Sequence, residues 1–581
     1  MKRCPECRRD YYDDTLLYCL DDGNALLQGP ASAAKSEPPA SAGGQSDDGQ
    51  QTAILHSTAA PGEAPTRAQI HATEQTAVLP SGITEVPKTK GFDKRLILAP
   101  LVLAVIVLGG FFGYRYVTQA KQIESIAVMP FVNESGNPDG EYLSDGMTET
   151  LINSLSQIPN LSVKARSSVF RYKGKEIDPK KVASELGVQA ILTGRVLQRG
   201  DQLTLSVELI DGLTENTIWG NKYERKGSDL VALQSEVARD VSSKLKSKLS
   251  GADAAKVEKT YTANPEAYQL YLKGRFAWNR RNIESLKQAA EIFKQAIEKD
   301  PNFALAYAGL AETYVLFSQY NVASSKDSMP QAKAAASRAL ELDDSLAATH
   351  AALEAYFTFY EFDRVAGEKE IRRAIELDPN YATAYHWLGG DVLYPTKRFD
   401  EAIAAMRRAE ELDPLSPIIG TNLGDVLLHA GRYDEAIAQY QRVLSLDPNF
   451  ANAFSGLGLS HWQKGMKPEA IAEMRKYIEL TGSSFGKGDL GFFLARSGQR
   501  DEAVKLLAEL KQALSQRYVP GTAMALIYVG LGEKEEALNW LEKDIDDRGP
   551  YSTYYAVMPE LDDLRTEPRF KAMLKRLNLP E

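Results

Sequence analysis

At 581 residues the chain exceeds what one hydrophobic core organises, so several domains are expected. A formal charge of -10 and a pI near 5.5, with no run of five or more Lys or Arg, exclude a chain built to neutralise phosphates, and nucleic acid is not expected as a partner. All three cysteines lie within the first nineteen positions, so nothing after them is stapled by a disulfide.

The first element is "CPECRRDYYDDTLLYCLDDG", Cys4 to Gly23. Cys4 and Cys7 bring two thiolates round a tight turn that Pro5 helps to fix, and Cys19 and Asp22 repeat the i, i+3 spacing. Four ligands can then converge tetrahedrally on zinc, with Asp22, or Asp21 in its place, giving oxygen; free thiols or a redox pair are the alternatives. The stretch resembles a short zinc ribbon over residues 1–28. Four protein ligands leave no open position, so the zinc is expected to be structural and to supply folding energy that so short a segment cannot bury.

Residues 29–92 turn to Ala, Ser, Pro, Gly, Gln and Thr with scarcely an aromatic, a composition expected to stay disordered. Within them "QTAIL" and "QTAVL" echo each other, either as docking or phosphorylation motifs around Thr52 and Thr76 or as chance recurrence in a biased segment. Leu96 to Tyr114, "LILAPLVLAVIVLGGFFGY", then runs nineteen residues without a charge, about 28 Å as a helix. That is enough to span a bilayer, a buried core helix being the alternative. Lys88, Lys90, Lys94 and Arg95 precede it and only Arg115 and Lys121 follow closely, which places the N-terminus in the cytoplasm of a bacterial cell and the C-terminal domains outside.

From residue 124 to 250 strands and helices alternate as in an α/β domain. "SIAVMPF", "LSVKA" and "VQAILTGRV" read as strands, "LSDGMTETLINSLSQI" as an amphipathic helix, and "PKKVASELG" as a helix closed by Gly187. "LTLSVELI" and "TIWGNKYE" form an antiparallel pair, and "LVALQSEVARDVSSKLKSKL" is a last helix. The run "IAVMPFVNESGNPDGEYLSDGMTETLINSLSQIPNLSVKARSSVFRYKGK", with "ASELGVQAILTGRV" and "VELIDGLTENTIWGNKYER", resembles the TolB amino-terminal-like domain, related to the FlgO group, of bacterial multidomain membrane proteins. The resemblance implies a place between a membrane helix and tetratricopeptide repeats, with a cytoplasmic regulatory module in front; it supplies no ligand. The segment has no His or Cys, no phosphate-binding glycine signature and no kinase motif. The carboxylates Asp139, Glu141 and Asp145 have no spacing that marks an acid–base pair, and "NESGNPDGEYLSDG" reads as a turn rather than an anion cradle. An enzyme is not expected.

Over residues 264–546 the sequence repeats itself at a period near 34. Ala402, Ala436, Ala470, Ala503 and Ala537 keep that spacing, as do Leu388-Gly389, Leu423-Gly424, Leu457-Gly458 and Leu490-Gly491, and Pro301, Pro379, Pro414 and Pro448 close second helices. The pattern resembles the tetratricopeptide repeat, with seven or eight units, an expected insertion around "NVASSKDSMP", and a capping segment over 547–581. The whole is a multidomain chain: zinc ribbon, single transmembrane helix, α/β domain and all-α solenoid. First helices line a concave face whose candidates for binding protein or peptide are His386, Asp425, His429, Asn452, Trp462, Phe492 and Arg496, with Thr383, Thr421 and Ser455 beside them. A membrane scaffold is the expected function. The alternative is a transmembrane sensor that couples an outer ligand or partner to the zinc ribbon.

Overall fold

The computed structural model describes residues 123–137, 140–245, 250–320 and 322–581, and the backbone of residues 2–3, 10–11 and 27–28. The chain divides into Met1–Pro100 and Leu101–Glu581. In the first unit β1 (Lys2–Arg3) pairs antiparallel with both β2 (Asp10–Tyr11) and β3 (Leu27–Gln28). The expected zinc ligands Cys4, Cys7, Cys19 and Asp22, the linker 29–92 and the apolar stretch 96–114 lie outside the described residues. Among the described residues, no helix is long and apolar enough to cross a membrane.

The second unit begins with a mixed sheet. Its strands β4 (Ser125–Val128), β5 (Val132–Asn133), β6 (Ser162–Val163), β7 (Ala190–Arg199), β8 (Gln202–Asp211) and β9 (Thr217–Lys226) run in the order β6-β4-β7-β8-β9, with β5 also on β7. β4 is parallel to β6 and β7, and its Ile126, Ala127 and Val128 are wholly buried, as a parallel strand covered on both faces requires. β7, β8 and β9 form an antiparallel meander in which Leu203, Leu205, Val207 and Leu209 alternate inward. Asp178 caps the helix Pro179–Leu186 by accepting from Lys181 N at 3.1 Å, and Gly187, at φ 64°, ends it.

Eight antiparallel helix pairs follow: Pro265–Trp278 with Ile283–Lys299 (unit 1), Ala304–Gln319 with Ser325–Leu342 (2), Ala347–Ala355 with Arg364–Leu377 (3), Ala382–Trp387 with Phe399–Leu412 (4), Pro417–His429 with Tyr433–Leu446 (5), Ala451–Gln463 with Lys467–Thr481 (6), Ser484–Arg496 with Arg500–Ala513 (7) and Gly521–Leu531 with Lys534–Asp546 (8). The five periodic alanines are all fully buried. Gly424 sits where a Cβ would come within 2.4 Å of the Tyr440 ring, so only glycine lets the two helices of unit 5 close on that tyrosine. Unit 2 begins at Ala304 and unit 3 at Ala347, 43 residues later against a period near 34, so the residues expected as an insertion there are taken up in longer helices. Ser324 caps the helix there, accepting from Asp327 N at 3.2 Å, and "SKDSMP" forms its first turns with Pro330 inside. In units 3 and 4 the first helix continues into a π turn, Tyr356–Glu361 and Leu388–Leu393 respectively.

The α/β domain is bonded to the array along one seam. In the helix Glu141–Ser156, Gly146 lies against Leu272 of unit 1, and Glu149 meets Arg275 Nη2 at 2.7 Å while Arg275 Nη1 reaches Glu312 of unit 2 at 2.6 Å. Asp378, in the loop after unit 3, accepts from the Ser156 hydroxyl at 2.8 Å, and Asn380 Nδ2 donates to the Ser156 and Leu161 carbonyls. After unit 4, Asp413 accepts from the hydroxyls of Ser167 and Ser168, and Ala165 N donates to the Leu412 carbonyl at 3.0 Å. Arg171 completes the seam by donating to the Leu415 and Leu446 carbonyls at 2.9 and 2.8 Å.

Candidate functional site

The segment after unit 8 does more than cover the last helix pair. Residues 549–581 turn back to units 3 and 4, where Arg364 donates to the Thr553 carbonyl at 2.9 Å and Asn578 Nδ2 donates to the Phe362 carbonyl at 2.9 Å. Tyr554 donates to Asp391 at 3.1 Å, and Lys397 Nζ donates to the Glu581 carbonyl at 2.9 Å. Val557 is buried with the apolar side chains of units 3 to 6, and Phe362 with those of units 6 to 8 and the C-terminal segment.

Between this segment and the first helices of units 4 to 7 lies a cavity of about 310 Å³. Helical spacing supplies one wall: Asn422, Asp425 and His429 recur at intervals of three and four on the first helix of unit 5, and Asn452, Ser455 and Leu459 do so on that of unit 6. Asp489 of unit 7 enters from a third helix. Tyr551, Tyr554, Met558 and Glu560 close the cavity from the C-terminal segment, where Tyr551 stacks on Phe485 at 3.8 Å.

Three carboxyl groups therefore face one space, and none of the residues that line it is Lys or Arg. Asp425 accepts from the Tyr440 hydroxyl at 2.7 Å, and burial still pushes its carboxyl up to about 6. Asp489, 1% exposed, keeps Oδ2 without a hydrogen-bond partner, and Glu560, 4% exposed, keeps Oε1 so. Burial raises both carboxyls, and the like charge of Glu560 adds to the rise at Asp489. Burial lowers His429 to about 4; its Nδ1 lies 2.8 Å from the Asp425 carbonyl, which can only accept, so the neutral ring carries its proton there. His386 is also lowered to about 4 by burial and takes the amide of Asn422 on Nε2 at 2.8 Å.

Of the concave-face residues singled out in the sequence, Asp425, His429 and Asn452 border the cavity with Ser455 beside them, and His386 stands behind Asn422. Trp462, Phe492 and Arg496 lie elsewhere. Trp462 stacks on Phe493 with ring centroids 4.4 Å apart, Phe492 is buried, and Arg496 pairs with Asp563 of the C-terminal segment. Sequence reasoning missed Asp489 and Glu560. Asp489 immediately precedes Leu490-Gly491, the register at which Asn422 precedes Leu423-Gly424, and that correspondence was available; Glu560 lies outside the repeats and had no such marker. In the α/β domain, the Asn133 side chain donates to the Asn137 carbonyl at 2.9 Å, and Asp139, in the expected turn, lies outside the described residues. Glu141 and Asp145 are both bridged by Lys173, at 2.7 and 2.6 Å. Among the described residues, no three His, Cys, Asp or Glu side chains form a metal site.

Comparison with known proteins separates the two parts of the second unit. Residues 366–417 and 424–465 match tetratricopeptide repeat models. Residues 121–239 match the second domain of HilA/YgeH-like transcriptional regulators. A putative adenylate cyclase 3 of Rhizobium meliloti is 37% identical over 38% of this chain, and the transcriptional regulator HilA of Salmonella typhimurium is 27% identical over 27% of it. The chain spans only 38% and 28% of those relatives' own lengths. Among solved structures, YrrB, a repeat protein with an unusual peptide-binding site, is 26% identical, covering 33% of this chain and 94% of its own, at a TM-score of 0.26. PilF of Pseudomonas aeruginosa is 25% identical, covering 37% and 93%, at a TM-score of 0.30. The chain carries tetratricopeptide repeats and is similar, over residues 121–239, to the second domain of HilA/YgeH-like regulators.

Proposed function

We propose that the protein is a single-pass membrane scaffold whose repeat array receives protein or peptide partners outside the cytoplasm. The repeats carry this assignment, because tetratricopeptide arrays serve as protein-interaction surfaces. The apolar stretch 96–114 and the basic residues before it support the membrane span and its direction. Cys4, Cys7, Cys19 and Asp22 are proposed to hold one structural zinc on the cytoplasmic side, where thiols stay reduced. The TolB-like identity of the α/β domain and a non-catalytic role for the whole chain belong to the same proposal. Cross-linking of the full chain in cells, followed by mass spectrometry, is expected to join partner proteins to residues 264–546; cross-links confined to other segments would remove the scaffold. Since no cysteine follows Cys19, Lys505→Cys in whole cells tests the topology. A membrane-impermeant maleimide is expected to label it, and labelling only after permeabilisation would reverse the direction.

The cavity favours a second role, that of a sensor. Relatives whose names denote outputs as different as a cyclase and a transcriptional regulator each share only a minority segment with this chain, the pattern expected of a receiving module set beside exchangeable outputs. In this role Asp425, His429 and Asn452 belong to the receiving site, and the zinc module passes its state to a cytoplasmic partner.

A further inference from the structure

We propose that the cavity between the repeats and the C-terminal segment binds a small organic cation, a protonated amine or a guanidinium, held by Asp489 and Glu560 and walled by tyrosine rings. The inference rests on the sensor role of this cavity and names the charge of its ligand.

Two carboxyl oxygens, one from unit 7 and one from the C-terminal segment, are buried without any donor, although almost every buried polar atom in a folded protein is satisfied. A neutral apolar ligand would leave both unsatisfied, and an anion would meet three carboxyls with no Lys or Arg on the lining, Arg565 standing behind Glu560. A cation satisfies both oxygens at once. The rings of Tyr394, Tyr477, Tyr551 and Tyr554 complete the match, since the face of an aromatic ring attracts positive charge. Asn422, Asn452 and Ser455 on the lining offer further acceptors and donors, which suit an organic group that carries polar hydrogens. At about 310 Å³ the space lies at the small end of ordinary ligand pockets. Burial makes Asp489 and Glu560 hold their protons above the usual carboxylate range, so the cation enters as protons leave. The titratable groups that face this space are Asp425, Asp489, Glu560, His429 and the tyrosines, with Arg565 beside Glu560 from behind.

Calorimetry on the full chain in detergent, with 1,5-diaminopentane, arginine methyl ester and the peptide acetyl-Gly-Lys-Gly-amide, separates a free amine from a side chain as the source. The uncharged 1,5-pentanediol and the anion glutarate are matched controls. At least one cation is expected to bind, with heats that vary with buffer ionisation enthalpy, and both controls to fail. Asp489→Asn and Glu560→Gln are each expected to weaken binding about ten-fold, the loss of one charged hydrogen bond. Hydrogen exchange on the unsubstituted chain supplies a readout independent of the variants: the bound cation is expected to slow exchange at residues 485–489 and 551–560. If the diol or glutarate binds as well as the diamine, and with the same protection, the cavity remains a receiving site but the cationic ligand is wrong. If no probe binds, or if binding leaves both segments unprotected, the cation and the receiving cavity fall together.

Discussion

Asp425 and the half-buried His386 and His429 respond to pH in opposite senses. The Asp425 carboxyl, raised to about 6, keeps in the folded chain a proton that the unfolded chain has already lost near pH 4, so its contribution to stability falls as pH rises through that window. His386 and His429, lowered to about 4, stay neutral in the fold while the unfolded imidazoles hold protons up to about 6.5, so their contribution rises over much the same window. Asp425→Asn removes a falling contribution and keeps an acceptor for Tyr440. It is expected to raise stability at pH 7 relative to pH 4.5 by roughly 1–3 kcal/mol, read from urea midpoints at the two pH values. An unchanged difference would mean that the Asp425 carboxyl titrates as if in water.

At the scale of elements, the "LDP" loops perform two tasks where the sequence displays one. Their 34-residue period made them legible as breaks between helix pairs, and the same period exposed the buried alanines and the row holding Asp425, His429 and Asn452. Nothing in that period says that Asp378 and Asp413 also receive hydroxyls from the α/β domain, because Ser156, Ser167 and Ser168 lie more than two hundred residues earlier in a segment without repeats. Asp447 occupies the same motif position after unit 5 but accepts only from its own loop, at Asn449 N. Asp413→Ala strands two hydroxyls and is expected to cost about 1–3 kcal/mol, whereas Asp447→Ala is expected to cost less than about 1 kcal/mol. Urea titration of the two variants compares them directly, and equal losses would deny the seam its separate contribution.

For the whole molecule, the C-terminal segment was legible as a cap but not as a bridge. A cap needs an apolar inner face, and "YSTYYAVMPELDDL" supplies one; the choice of units 3 and 4 as its target depends on the curvature of the array, which no single repeat encodes. Ending the chain after Arg548 should therefore act at a distance. Hydrogen exchange is expected to speed up about ten-fold or more at residues 356–364 and 388–396, through loss of the bonds to Arg364, Phe362 and Asp391, as well as in unit 8. Faster exchange in unit 8 alone would mean that the segment only caps.

An ordinary solenoid grows or shrinks by whole units, since each touches only its neighbours. Here units 1, 3, 4 and 5 are pinned in sequence against the α/β domain, and the tail that follows unit 8 is fastened to units 3 and 4. Duplicating or deleting one unit would shift every later fastening out of reach, so the number of repeats is fixed as firmly as the number of strands in a closed barrel.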